Sequence, residues 1–134
     1  MQEYISKQVR LERPAEQVYR MISRFDNLTP ALEGRVEEWQ ADEEHCSFKV
    51  KGFAVRLCMA ERVAPKHVKI TGDGVPMDFA FWIQLQPVAE QDTRLRLVLH
   101  AELNMMMRMM IGGKLQEALD RIADGIAEAS ARMR

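Results

Sequence analysis

Side chains that could carry out chemistry are few in this sequence, and they are not grouped as a reaction would require. The three histidines, His45, His67 and His100, are far apart, and none has a second potential ligand at the spacing typical of a zinc site. We also find no Ser/His/Asp pattern, phosphate-binding loop or Cys-x-x-Cys pair. We therefore predict no catalytic residue, no metal site and no cofactor.

Glu61 is the one carboxylate that falls among apolar residues in the alternation described below. A buried carboxylate must become neutral or find a partner, so Glu61 could bind a polar group of a ligand or act as a general acid or base. The alternative is a bulge near the end of its strand, beside Arg62, that turns Glu61 toward water. Tyr4 and Tyr19 could place a hydroxyl in a cavity or bond a backbone carbonyl, and neither is assigned a catalytic role.

The two cysteines, Cys46 and Cys58, fall near one predicted hairpin. The register of that hairpin places them on opposite faces of the sheet, so that their Cβ atoms point apart and a disulfide is excluded. We interpret them as two reduced thiols, which agrees with a cytoplasmic protein.

Methionine is concentrated just before the last predicted helix, where five of the ten methionines occupy six positions from Met105 to Met110. Methionine adapts to apolar partners of variable shape, so the run either packs the start of the helix onto the core or closes over a ligand. Gly112 and Gly113 follow inside the helix at a cost of about 1 kcal/mol each relative to alanine. Their missing side chains could admit a close neighbour or let the first turn hinge.

Length and charge restrict the class of protein. The chain of 134 residues fits a single domain, residues 1–134, and its net charge of −1 gives no field for binding nucleic acid. The first residues lack a signal pattern, and no apolar run approaches the roughly 20 residues of a membrane span. We expect a soluble cytoplasmic protein without membrane insertion; a homodimer is left open.

Hydrophobic periodicity predicts the elements that position these residues. Residues 3 to 12 favour a strand, Pro14 fits the first position of a helix, and two short helices extend to residue 33. From Arg35 to Leu103 the apolar period is two, with recurrent turn signals, which predicts a meander of about six strands. A long amphipathic helix then runs from Asn104 almost to Arg134.

Apolar alternation also predicts how the strands pair. The predicted pairs are Val50–Val55, Phe48–Leu57 and Cys46–Met59 around a Gly52-Phe53 turn, Met59–Ile70 and Glu61–Val68 around Ala64-Pro65, and Phe81–Leu99, Ile83–Leu97 and Leu85–Leu95 in the last hairpin. One face of the sheet is then apolar and the other polar, apart from Trp82 opposite Val98. The direction of Trp39 is left open, because it depends on the length of the turn at Glu43-Glu44.

The last helix is the only large apolar element left to cover the apolar face. Its apolar residues recur at steps of three, four and seven: Ile111, Leu115, Leu119, Ile122, Ile126 and Met133. A sheet wrapped around one helix commonly encloses a ligand cavity. The predicted ligand-binding residues are Phe48, Val50, Leu57, Met59, Glu61, Phe81, Ile83, Leu97, Leu99, Met106, Met110 and Leu115.

This order of elements resembles the helix-grip fold of the START-like superfamily (SRPBCC type), which includes lipid-transfer domains, pollen-allergen-like carriers and polyketide cyclases. The segment from Arg13 to Asn27 is similar to the family's motif after the first strand, with support from 47–52, 61–65 and 104–132. The resemblance implies an α+β fold in which a curved antiparallel sheet of six to seven strands grips a long C-terminal helix, with two short helices after the first strand. It implies a shared pocket but no shared reaction.

Three functions are consistent with this fold. The first is a binding or carrier domain for a small hydrophobic molecule such as a lipid, an isoprenoid or a polyaromatic. The second is an enzyme resembling the superfamily's cyclases or dehydratases, with Glu61 transferring a proton. The third is a protein-interaction module resembling co-chaperones of the family, which would bind through Trp82 and the basic face of the sheet.

Overall fold

The computed structural model describes residues 2–50, 53–73 and 78–132, which form one large sheet with helices on one side. In chain order the strands and helices are β1 (Gln2–Ile5), β2 (Val9–Leu11), α1 (Ala15–Ile22), a 3₁₀ turn (Asp26–Leu28), α2 (Thr29–Leu32), β3 (Glu37–Ala41), β4 (His45–Val50), β5 (Phe53–Val63), β6 (His67–Gly72), β7 (Phe79–Ala89), β8 (Asp92–Ala101) and α3 (Met105–Ala131). The predicted α+β fold, the six-strand meander and the long last helix are confirmed.

The sheet is antiparallel and open, with the strand order β1-β8-β7-β6-β5-β4-β3, and β2 also pairs with β8. The predicted first strand is therefore two strands. At the break, the Ser6 N–H donates to the Leu97 carbonyl (2.9 Å), and the Ser6 hydroxyl accepts from the Leu97 N–H (2.8 Å). The side chain of Ser6 thus replaces one backbone partner while the chain turns away from β8.

Helix α3 holds this break in place. The Lys7 N–H donates to Asp120 (2.7 Å), the Lys7 ammonium pairs with Asp124 (2.8 Å), and the Gln116 amide donates to the Ile5 carbonyl (2.8 Å). The three helix residues are four apart and so lie on one side of α3. They fix the middle of the helix against the edge of the sheet.

The predicted strand register holds in some places and fails in others. All three predicted pairs of the last hairpin, Phe81–Leu99, Ile83–Leu97 and Leu85–Leu95, are confirmed. The β4–β5 pairing was wrong by two residues, because Val50 lies opposite Phe53, Phe48 opposite Val55 and Cys46 opposite Leu57. A shift of two preserves the face on which each side chain lies, so the assignment of faces survives.

The core lies between the helices and one side of the sheet, which we call the inner face; the opposite side is the outer face. Fully buried residues come from α1 (Val18, Ile22), the turn after it (Phe25), α3 (Ala123, Ile126) and the sheet (Val68, Ile70, Ile83, Leu95, Leu97). Pro14 caps α1 with an extended backbone (ψ 147°) instead of occupying its first helical position. The cysteines lie on opposite faces and are not bonded, as predicted.

Helices α2 and α3 approach closely at Gly125. A Cβ at this position would lie 2.8 Å from the Ala31 carbonyl oxygen and 3.0 Å from the Arg35 Nε. Arg35 also pairs with Glu128 at 2.6 Å. The C-terminal half of α3 therefore packs against both α2 and the sheet.

Candidate functional site

A band of apolar side chains crosses the inner face from β1 to β5. Successive cross-strand pairs join Tyr4 to Leu99, Leu99 to Phe81, Phe81 to Ile70 and Ile70 to Met59. Paired residues of antiparallel strands point to the same face. We call these five residues the apolar band.

Burial is uneven along the inner face. Ile83 and Leu97 form the next inward-facing pair of β7 and β8, toward the C-terminal half of α3. They are 2% and 0% exposed. Within the apolar band, Tyr4, Phe81 and Leu99 are only half-buried, although they pack against the core. The inner face is thus closed under the C-terminal half of α3 and partly open under its N-terminal half.

The first half of α3 meets the open part of the inner face at Gly112, which lies against Tyr4. Ile111 and Leu115 are half-buried there, whereas Leu119 and Ile126 further along the helix are buried. Phe48 and Leu57 continue the half-buried apolar surface on β4 and β5. We call the apolar surface formed by the apolar band, these two residues, Ile111 and Leu115 the apolar cleft.

Gly112 sets how closely α3 approaches the edge strand. A Cβ on Gly112 would lie 3.2 Å from the Tyr4 hydroxyl oxygen, whereas a Cβ on the exposed Gly113 would meet nothing within 4 Å. The predicted close approach is therefore confirmed for Gly112 and wrong for Gly113. The Tyr4 hydroxyl makes no hydrogen bond with any described residue, so it is a polar group available at the edge of the cleft.

The structure brings most of the predicted ligand-binding residues together. Phe48, Leu57, Met59, Phe81, Ile83, Leu97 and Leu99 all lie on the inner face, and Leu115 faces it from α3. Ile83 and Leu97 are so deeply buried that they belong to the core below the cleft. The side chain of Val50 and the predicted helix residue Met133 lie outside the described part of the chain.

Four of the five methionines at the start of α3 are in solvent, and Met107 is half-buried. Met105, Met106, Met109 and Met110 are 74%, 70%, 82% and 66% exposed. Packing onto the core, one of the two predicted roles, is wrong for these four side chains, and Met106 and Met110 do not line the cleft in this structure. These four side chains lie on the side of α3 opposite the half-buried Met107, Ile111 and Leu115, which explains their exposure. Closure over a ligand stays a prediction.

Glu61 does not lie on the inner face, so its predicted position was wrong. Met59 pairs with Ile70 as predicted, but a bulge follows, and Glu61 lies opposite Lys69 while Arg62 lies opposite Val68. One extra residue in a strand exchanges the two faces beyond it. Glu61 is exposed and lies 3.4 Å from the His67 Nε2. The predicted alternative, a bulge that turns Glu61 to water, is confirmed.

Arg62, placed on the inner side by the same bulge, lies near the end of β5 and bonds to the end of α1. Its Nε donates to the Ser23 carbonyl (2.8 Å), and its guanidinium pairs with Glu44 (3.0 Å) and donates to the Glu43 carbonyl (3.2 Å). These contacts tie the end of α1 to the β3–β4 turn. Arg62 is thus a structural residue that the sequence analysis did not identify.

Trp39, whose direction the sequence left open, points inward. Its indole N–H donates to the Thr29 hydroxyl (2.9 Å), and its ring centroid lies 6.0 Å from that of Phe48. A register irregularity in β3, with Glu38 at φ 54°, turns the indole toward α2. Trp39 therefore extends the apolar wall at the β4 side of the inner face.

On the outer face, the predicted pair Trp82–Val98 is confirmed. Lys69 lies over the indole of Trp82 (5.5 Å from its centroid), and the His100 ring packs against it at 4.8 Å. His100 in turn lies 2.6 Å from Glu3. Trp82 is therefore covered by polar neighbours of its own sheet.

Two surface depressions lie away from the predicted ligand-binding residues. One, of about 320 Å³, is at the β3–β4 turn beside Asp42 and Cys46; the other, of about 250 Å³, lies between β2 and the end of α3. Among the described residues, no group of three or more His, Cys, Asp or Glu could hold a metal ion. Within the same residues, no helix has the length and apolar content to cross a membrane.

Solved structures share this arrangement of sheet and helices. A protein from Thermus thermophilus superposes with a TM-score of 0.74 at 20% identity, covering 97% of each chain. Norcoclaurine synthase from Thalictrum flavum superposes with a TM-score of 0.76 at 10% identity, covering 98% of this chain and 87% of its own. These likenesses confirm the predicted helix-grip fold.

Sequence comparison supports the same relationship. No curated protein matches this sequence. The model of one family, described as polyketide cyclase/dehydrase and lipid transport, matches residues 3–126. Since that match covers most of the chain, the protein belongs to the polyketide cyclase/dehydrase and lipid transport family.

Proposed function

We propose that this protein binds and carries a small hydrophobic molecule in the apolar cleft. The observation that carries the proposal is the half-buried surface of Tyr4, Phe81 and Leu99, which faces α3 where the helix no longer closes the inner face. Apolar side chains left partly open in a concave site gain free energy when a ligand displaces water from them. A lipid, an isoprenoid or a polyaromatic fits this chemistry.

Binding is favoured over catalysis because the apolar cleft contains few side chains that could transfer a proton. The apolar band contains no carboxylate or imidazole, and Glu61, the residue predicted for such a role, lies on the outer face beside His67. The likeness to norcoclaurine synthase is one of fold, at 10% identity, and a fold hosts many reactions. Family membership agrees with either function.

The direct test is a fluorescence titration with N-phenyl-1-naphthylamine, a neutral apolar probe. We expect saturable binding by the wild-type protein. Leu99→Trp, which fills the cleft from near the end of β8, should weaken that binding by about tenfold or more. Circular dichroism and thermal melting would establish that the variant is folded.

Trp82→Leu provides the matched control, because Trp82 lies on the outer face in the strand next to Leu99. It should leave binding of the probe unchanged. Absence of saturable binding by the wild-type protein would contradict the proposal. Equal weakening by both variants would place the probe outside the cleft and would contradict it as well.

Native mass spectrometry of the protein purified from its own cells, followed by organic extraction, would identify the ligand. A stoichiometric apolar adduct that is lost in Leu99→Trp and kept in Trp82→Leu is the expected result. An adduct that survives Leu99→Trp would contradict binding in the cleft.

A further inference from the structure

The side of α3 that faces the sheet carries one residue that does not fit its apolar pattern. Arg108, Gly112, Leu115 and Leu119 follow at steps of four, three and four, so they lie along one side of the helix. Leu119 and Gly112 are buried and Leu115 is half-buried. Arg108 therefore lies on the same side of α3 one turn before Gly112, where an apolar residue would continue the pattern.

Arg108 and Tyr4 lie beside the same point of the helix. A Cβ on Gly112 would be 3.2 Å from the Tyr4 hydroxyl oxygen and 3.8 Å from the Arg108 Cγ. The Cγ of Arg108 and the phenol of Tyr4, which belongs to the apolar band, thus both lie beside Gly112. The long side chain of Arg108 therefore starts close enough to the Tyr4 hydroxyl for its guanidinium and that hydroxyl to contact one ligand group.

Neither polar group is satisfied by the described part of the protein. Arg108 makes no ion pair or side-chain hydrogen bond there, and the Tyr4 hydroxyl makes no hydrogen bond. By contrast, Arg24, Arg35 and Arg94 are each paired with a carboxylate. A guanidinium binds carboxylate or phosphate oxygens through two parallel N–H groups, and a phenol can donate a third hydrogen bond.

We infer that Tyr4 and Arg108 bind the anionic head of an amphipathic ligand whose apolar part occupies the cleft. The inference rests on the proposed function and narrows its ligand class to a hydrocarbon with one anionic oxygen headgroup. A carboxylate, as in a fatty acid, and a phosphate monoester share this chemistry. The exposed position of Arg108 suits a headgroup that stays in contact with water while the chain is buried.

The test is displacement of N-phenyl-1-naphthylamine by three ligands with the same ten-carbon chain: sodium decanoate, decyl phosphate and 1-decanol. At least one anion should displace the probe at a concentration about tenfold lower than 1-decanol, since a hydrogen bond to a charged group contributes that much. The anion that binds more tightly identifies the source of the headgroup. Equal displacement by all three ligands, or by none, would overturn the inference while binding of the probe itself still supports the cleft.

Substitutions of Arg108 and Tyr4 test whether the anionic headgroup binds at these two residues. Arg108→Gln should weaken the preferred anion by about tenfold and leave 1-decanol unchanged, and Tyr4→Phe should weaken the anion by about threefold. Lys114→Gln removes an equal charge from an exposed position on the same helix and should change neither ligand. The inference is overturned if Arg108→Gln has no effect on the anion, if it weakens 1-decanol equally, or if Lys114→Gln has the same effect. Absence of probe binding by the wild-type protein would instead contradict the proposed function.

Discussion

Among single residues, Cys46 shows how the sheet separates two thiols that are close in space. Cys46 points inward and is buried, whereas Cys58 is half-buried on the outer face, with its Sγ 3.4 Å from the Thr71 hydroxyl. Burial raises the pKa of the Cys46 thiol to about 12. Because the thiolate is the reactive form, Cys46 should be inert while the protein is folded.

We expect iodoacetamide at neutral pH to modify Cys58 before Cys46. Cys46 should react at a comparable rate only after unfolding in denaturant. Peptide mapping by mass spectrometry would measure both rates in the same sample, and Cys58→Ser would serve as the control that isolates Cys46. Faster labelling of Cys46 in the native protein would contradict its buried position.

The same burial predicts a dependence of stability on pH. The ordinary thiol pKa is 9.0, and that of folded Cys46 is about 12, so above pH 9 the unfolded chain loses a proton that the folded protein retains. The protonated Cys46 thiol therefore contributes to the free energy of unfolding. This contribution is fully present below pH 9 and is lost as the pH rises toward 12. Urea melts at pH 8, 9 and 10 should show a steeper decline for the wild-type protein than for Cys46→Ala. Parallel declines would show that other groups account for the effect.

Among the elements, α3 shows different constraints at its three glycines. Gly113 has free space around it, Gly112 lies against Tyr4, and a Cβ on Gly125 would meet the Ala31 carbonyl at 2.8 Å. The backbone of α2 cannot move aside as the end of a flexible side chain could. Alanine substitutions at Gly113 and Gly125 should therefore change the free energy of unfolding in opposite directions.

Gly113→Ala should raise the free energy of unfolding by about 1 kcal/mol, because alanine favours the helix and meets no neighbour. Gly125→Ala should lower it by about 1 to 3 kcal/mol, because the gain in propensity is smaller than the cost of overpacking against α2. Urea denaturation of both variants provides the measurement, with each serving as the control for the other. Stabilisation by Gly125→Ala would mean that α2 and α3 are less closely packed than the structure indicates.

The strand pairings show what apolar alternation can and cannot predict. In the last hairpin, β7 and β8 alternate over ten or eleven residues each, and the predicted register was correct. In the β4–β5 hairpin, Phe48, Val55 and Leu57 are all apolar, so a register shifted by two satisfies the pattern equally well. Alternation determines the face of a side chain in a regular pair but not which of several equivalent partners it meets.

Bulges and contacts between distant segments leave weaker signals. The irregularity between Met59 and Glu61 exchanged the faces beyond it, and its one trace in the sequence was a carboxylate at an apolar position. Tyr4 and Gly112 meet only because β1 and α3 fold together. Arg108 could have been noticed as a break in the apolar stripe of α3, but no local pattern places it beside a tyrosine. The shape of the sheet was therefore more predictable than the polar groups at the edge of the cleft.

At the scale of the whole molecule, the C-terminal half of α3 contributes most to stability, and the proposed ligand site lies beside the other half. The C-terminal half packs on α2 and the sheet through residues such as Ala123 and Ile126, whereas four of the five methionines of the first two turns are exposed. Replacing Met105, Met106, Met109 and Met110 together by glutamine should change the free energy of unfolding by less than about 1 kcal/mol, since exposed substitutions have small effects.

The control for this prediction is a buried methionine. Met21 of α1 is 5% exposed, and Met21→Gln should destabilise the protein by more than about 2 kcal/mol, because it leaves a polar group in the core. Thermal and urea melts of the two variants make the comparison. A large loss of stability in the fourfold variant would show that the exposed methionines contact the rest of the molecule.

The attachment of α3 at the break between β1 and β2 has a consequence for how such a protein can evolve. Gln116, Asp120 and Asp124 fix the middle of the helix to the edge of the sheet, so residues 105–110 can change without weakening that attachment. Mutations there alter the surface next to the cleft while the core keeps its stability. One stable scaffold can thereby diverge toward new ligands through substitutions in a six-residue segment, and the unusual run of methionines is one outcome that such freedom permits.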